Sequence, residues 1–91
     1  MNFEWDKRKS AANIKEHGVA FEEALSVFAD PFARIFDDPD HSADERREIV
    51  IGHSNQRQLL LVFFTERRDK VRIISARKPT RTERGDYEEN S

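Results

Sequence analysis

The sequence predicts an α+β fold with two N-terminal helices, an antiparallel sheet of about four strands and a short C-terminal helix. Three observations carry this. Apolar residues recur at helical spacing in the first third of the chain, apolar runs separated by hairpin-length polar stretches follow, and a capping box opens the last charged segment. Ninety-one residues make one domain, 1–91, whose single core buries roughly 60–65% of the unfolded chain's surface.

Phe3 to Trp5 reads as a short strand or an anchoring stub. Asp6 then fits an N-cap, and a helix runs to about His17, closed by Gly18 where a left-handed residue is wanted. Phe21, Ala24, Leu25 and Phe28 recur at i, i+3, i+4 and i+7, the apolar stripe of a second helix, which Asp30-Pro31 stops. Phe32 to Phe36 is a short strand, and Asp37 to Ser42 a loop. Arg47 to His53 is a strand ending at Gly52-His53-Ser54-Asn55. Leu59 to Thr65 is almost wholly apolar, so both faces of that strand should be covered. Glu66 to Lys70 is a charged turn, and Val71 to Arg77 pairs back as the next strand. Thr80-Arg81-Thr82-Glu83 matches a capping box and starts the last helix behind Pro79. Gly85 costs that helix about 1 kcal/mol relative to alanine. The final residues, Glu88 to Ser91, read as frayed.

Composition excludes several functions. There is no cysteine, so no disulfide framework, thiolate nucleophile or thiolate metal site is available. The opening MNFEWDKRK lacks the apolar stretch of a signal peptide, and no window approaches 18 apolar residues. A soluble cytoplasmic protein without membrane contact is expected. His17, His41 and His53 show no metal-ligand spacing. The acidic loop from Asp38 is a poor calcium loop, with Ala43 where glycine is needed and Ile49 where the bidentate glutamate belongs. No metal and no cofactor is expected.

Charge is the stronger signal. Residues 1–54 carry seven basic and twelve acidic side chains, whereas residues 55–91 carry nine basic and six acidic. Glu66 to Arg84 alone holds eight Lys/Arg against three Asp/Glu, in a chain of net charge −2. Such asymmetry suggests a face built for an anion, nucleic acid above all. Arg77 and Lys78 sit at a strand-to-helix junction, where free N–H groups and the helix dipole attract phosphate. Thr80, Arg84 and Tyr87 fall near one helix face, which puts the phenol beside the basic patch. Strict alternation, however, places Arg77 with Val71, Ile73 and Ser75, and Arg72 on the opposite face. The two arginines converge only if the strand twists or bulges. The competing reading is that these arginines are solubilising charges paired with Glu66, Asp69 and Glu83.

RNA cleavage suits such a residue set because RNA supplies its own nucleophile, the 2′-OH. It needs a base near that hydroxyl, an acid near the departing 5′-oxygen, and fixed cations on the non-bridging oxygens. Arginine fits the last role, binding phosphate through its fork and never deprotonating. His17, Glu66, Lys9 and Tyr87 are the candidate proton handlers.

Several motifs in register resemble one known family. Trp5-Asp6, Lys9, Asn13, His17-Gly18-Val19 and Phe21-Glu22-Glu23-Ala24 look like the opening of BrnT toxins from BrnT/BrnA toxin–antitoxin modules. HSADERREIVIGHS, LLLVFFTER and VRIISARKPTRTERGDYEE then match the family's later segments in order, over nearly the whole chain. The resemblance implies a small bacterial ribonuclease with a RelE-like α+β core. It also implies a partner antitoxin, BrnA, which carries a ribbon-helix-helix DNA-binding domain, so operator DNA is met only through the complex, where a homodimer is possible. Carried over by position, Arg72, Arg77 and Tyr87 match residues of the RNA-cleaving site, and Lys9, His17, Glu66 and Arg67 match further motif positions; of the proton handlers, Glu66 or His17 is expected to be the base. Lys9, Arg67, Lys78 and Arg84 are expected to contact RNA. Ala20 departs from the pattern, standing where a serine commonly caps the second helix, at a cost of about 1 kcal/mol. A non-catalytic module that binds nucleic acid or a regulator through the same basic face is the alternative.

Overall fold

Capping sets the first helix. Asp6 is extended, and its carboxylate accepts from the Arg8 N–H at 2.7 Å, a bond that holds its carboxyl below the usual range. Gly18 closes the helix at φ 71°, its N–H donating to Ile14 O. A computed structural model describes residues 2–40 and 46–89. Its elements are β1 (Asn2–Glu4), α1 (Lys7–His17), α2 (Phe21–Ser26), β2 (Arg34–Asp37), β3 (Arg47–His53), β4 (Leu59–Arg67), β5 (Lys70–Arg77) and α3 (Arg81–Glu89). His41 and Ala43 of the acidic segment, and Asn90 and Ser91 of the expected frayed end, lie outside the described residues. Glu88 and Glu89, expected to fray, are helical.

Three expectations are corrected. The sheet has five strands, in the order β1-β5-β4-β3-β2, and β1 runs parallel to β5 at its edge, so the sheet is mixed. A three-residue strand has no periodicity from which sequence could read its partner. The second helix stops being α-helical at Ser26 and tightens into a 3-10 turn over Val27–Ala29. Ala20 supplies no side-chain cap at its start.

One sheet face carries the main core. Val19, Phe21, Ala24 and Val27 of the helical layer pack on Val50, Leu60, Val62, Phe64, Ile73 and Ala76. Phe28 links Phe3 and Phe64 through ring contacts at 5.1 and 5.0 Å. Leu59 and Leu61, on the other face of β4, pack with Ile49, Ile51 and Tyr87. The cover expected over both faces of β4 is therefore supplied in part by α3 itself.

Two local devices fix this arrangement. β1 spans only Lys70 to Arg72 of β5, so the outward backbone groups of Ala76 have no neighbouring strand. Buried Asn13 takes the strand's place. Its amide donates to Ala76 O at 2.8 Å, its oxygen accepts from Ala76 N–H at 3.1 Å, and a further donation reaches Val19 O at 2.8 Å. Gly52 lies where a Cβ would come within 2.9 Å of the Ala33 Cβ and 3.0 Å of Asp30 Oδ2, so the loop before β2 can close onto β3. Among the described residues no helix is long and apolar enough to cross a membrane.

Candidate nucleic-acid interface

The decisive feature is a β-bulge. β5 pairs Ser75 with Phe63 and then Ile73 with Phe64, which leaves Ile74 as the extra residue. Past the bulge the alternation shifts by one. Ile73 and Val71 join Ala76 in the helix-side core, while Arg72 opposite Thr65 joins Ser75 and Arg77 on the other face. The two arginines that strict alternation separates are thus brought to one side. Arg67, paired with Lys70, belongs to that side as well.

Each arginine has a carboxylate on its fork. Arg77 donates to Glu83 at 2.7 and 2.9 Å, and lies over the Phe63 ring at 5.5 Å. Glu83 completes the capping box, accepting from Thr80 N–H at 2.8 Å while its own N–H donates to the Thr80 hydroxyl at 3.2 Å. The Arg77 hydrogen bonds, with the Thr80 N–H adding to them, hold the Glu83 carboxyl at about 2, and the Arg77 guanidinium is raised in turn. Arg72 donates to Glu4 at 2.9 Å, and Lys70 reaches the same carboxylate at 3.7 Å. The pairing reading from sequence is right for Arg77, but Arg72 uses Glu4 rather than Glu66 or Asp69.

α3 crosses the far part of this face. Tyr87 is buried on it, its ring 5.9 Å from that of His53 and beneath the Arg34 guanidinium at 5.6 Å. Burial raises the phenol's pKa, the Asp30 charge adds to this, and Arg34 opposes it. Like any phenol, Tyr87 is protonated at neutral pH, and burial only strengthens that state. A cleft of about 330 Å³ runs between α3 and the sheet, lined by Arg34, Phe36, Ile51, Leu61, Glu83, Asp86 and Tyr87.

The other residues singled out from sequence lie on several elements. Glu66 pairs with Val71, so its side chain is on the helix side of the sheet, exposed and away from Arg72. His17 ends α1, its imidazole 3.8 Å from Glu16. Lys9 is exposed on α1. Lys78 and Arg84 line a smaller cleft at the β5–α3 junction. Sequence reading missed Glu4, Arg34 and His53. The first two join the face only through strand register, which no local pattern encodes. Among the described residues no cluster of three or more His, Asp or Glu side chains could hold a metal ion.

Comparison with known proteins bears on the family and the fold. No curated protein matches the sequence. The crystal structure of the Brucella abortus ribonuclease toxin BrnT aligns with a TM-score of 0.65 and 29% identity, covering 89% of this chain and 99% of that one. The family model for the ribonuclease toxin BrnT of type II toxin–antitoxin systems matches residues 5–83. A match over that span, together with the shared fold, places the chain in the BrnT family of type II toxin–antitoxin ribonuclease toxins.

Proposed function

We propose that this chain cleaves RNA on the sheet face that carries Arg72 and Arg77, without metal, by attack of the 2′-OH on the adjacent phosphorus. The 2′-OH gives up its proton to a base or to solvent water as its oxygen bonds to phosphorus, the P–O5′ bond breaks, the 5′-oxygen takes a proton from Tyr87 or from water, and a 2′,3′-cyclic phosphate remains. The observation that carries the reading is the bulge at Ile74, which turns both guanidinium groups to one side of the sheet. Four residues apart along β4, about 13 Å at the backbone, their long side chains would reach toward one another to hold the non-bridging oxygens as charge develops. Tyr87, buried on this face, donates to the RNA or to the leaving oxygen. Glu66 projects from the opposite, helix side of the sheet and takes no step here, while His17, at the end of α1, remains the candidate base.

The partner is a cognate antitoxin of the BrnA type, with a ribbon-helix-helix DNA-binding domain, and both proteins meet in the cytoplasm. Glu4 and Glu83 show that a carboxylate fits each arginine fork. An antitoxin that lays acidic or backbone groups over Arg72 and Arg77 would block RNA by occupying the same donors. Antitoxin-bound protein that binds an RNA analogue as tightly as free protein would refute direct occlusion.

The test is RNA cleavage by the purified, partner-free chain in excess EDTA, beside a folded Arg77→Ala variant. Cleavage that survives EDTA and collapses in the variant is expected. Salt-sensitive binding with no cleavage would favour a binding module instead.

A further inference from the structure

The turn between β3 and β4 is anchored from below. The buried Glu23 carboxylate of α2 accepts from the Ser54 hydroxyl at 2.6 Å and from the Gln58 amide at 3.0 Å. The Ser26 hydroxyl accepts from the Asn55 N–H at 2.9 Å, and Arg57 N–H donates to Ser54 O at 2.9 Å. On this turn Arg57 has φ 62°, a left-handed conformation that glycine takes freely and a Cβ makes costly. Such strain persists only where the surroundings impose it, and it concentrates at functional positions.

What the turn presents is a cation. Arg57 lines a cleft of about 220 Å³ together with His53, Lys78 and Arg84, and with Gln58 and Leu59 as its remaining walls. Among the described residues no carboxylate lines it, although the His53 Nδ1 lies 3.8 Å from the Asp30 carboxylate behind it. Three side chains of like charge from three chain segments converge here, in a chain of net charge −2. An anion seated among them would be attracted by all three. The cleft is open to solvent and has room for a phosphate group. Register sets the distance to the arginine face. Arg77 pairs with Leu61, and His53 pairs with Leu59, so the cleft lies one side-chain step along β4, about 7 Å, from the level of Arg77. One nucleic-acid strand can reach both.

We propose that this cleft is a second phosphate subsite, which takes an RNA backbone phosphate neighbouring the scissile one. The inference rests on the RNA-cleaving reading above. Arg57 and Arg84 supply planar forks to the phosphate oxygens, Lys78 a point charge, and His53 an imidazole donor.

The test compares binding of a 2′-O-methyl dinucleotide and a 2′-O-methyl hexanucleotide by fluorescence anisotropy, with cleavage of ordinary RNA measured alongside. Arg57→Gly and Lys78→Ala should each weaken the hexanucleotide about five- to tenfold and leave the single-phosphate dinucleotide within about twofold. Each should also flatten the salt dependence of log K by about 0.7, the value for one phosphate contact on a single strand. Their combination should be less than additive, because both serve one phosphate. Arg57→Gly should melt no lower than the parent, since glycine relieves the left-handed strain, which separates lost binding from lost folding. Unchanged hexanucleotide binding with cleavage still dependent on Arg77 would overturn the subsite and leave the ribonuclease reading standing. Equal losses on both oligonucleotides would also overturn it, by merging these cations with the scissile site. If the parent chain neither binds nor cleaves RNA, that reading falls and the subsite falls with it.

Discussion

Replacing Glu83 with glutamine should lower stability and raise RNA affinity at once. The carboxyl is held at about 2 against an ordinary 4.5, a gap equivalent to roughly 3 kcal/mol at neutral pH if nothing screened the pair. Glu83 and Arg77 are 33% and 31% exposed, so solvent reduces this to about 1 kcal/mol. That corresponds to a melting point lower by about 4–8 °C in a domain of this size. Glutamine can still reach the Thr80 N–H, so the cap largely survives. The folded-state pKa is depressed, so the contribution is present above 4.5 and is lost as pH falls through about 2. The parent's stability should therefore decline over that acid window more steeply than the variant's, by calorimetry or urea unfolding. Meanwhile Arg77 loses its carboxylate, and an incoming phosphate loses a like charge close by. With these groups a third exposed and screening close to that of water, this is worth about 1 kcal/mol, or roughly fivefold tighter binding of uncleavable RNA. Weaker RNA binding by a folded Glu83→Gln protein would refute the reasoning, because it would make Glu83 the residue that aims Arg77 rather than the one that competes for it.

Other substitutions probe the scaffold. Asn13→Ala should cost about 2–4 kcal/mol in urea unfolding, since it leaves Ala76 N–H, Ala76 O and Val19 O without their partner; it should also slow cleavage through the adjoining Arg77, and near-neutral stability would contradict the role of substitute strand. Gly52→Ala should cost about 1–3 kcal/mol, because its Cβ meets Ala33 and Asp30, and an unchanged thermal midpoint would show that the β2 loop is free to move aside. Gly85→Ala, with nothing within 4 Å of the added methyl, should stabilise α3 by up to about 1 kcal/mol, read as a higher melting temperature with no loss of cleavage.

Sequence captured what is local. Asp6 with Gly18, and Thr80 with Glu83, are capping chemistry within a few residues, and the structure uses both pairs as expected. The apolar run of β4 is buried along most of its length for the reason read from it. What escaped is set by register. A bulge adds one residue without changing composition, so alternation assigned Arg72 to the wrong face, although Ile74 resembles any other apolar strand residue. The Glu4–Arg72 pair depends on a parallel edge strand three residues long, and the cleft at Arg57 collects side chains from a turn, a strand end and a helix. Glu66 looked close to Arg72 in sequence, yet the intervening hairpin and pleat set them on opposite faces.

The most direct test is a double-mutant cycle on the cleavage rate, with Arg72→Ala, Arg77→Ala and both together, in partner-free protein whose folding is checked by circular dichroism. If the bulge brings both guanidinium groups to one phosphate, the double variant will lose far less than the product of the two single losses, a coupling of about 1 kcal/mol or more. Independent, multiplicative losses would contradict a shared phosphate, and full activity in either single variant would remove that arginine from the site.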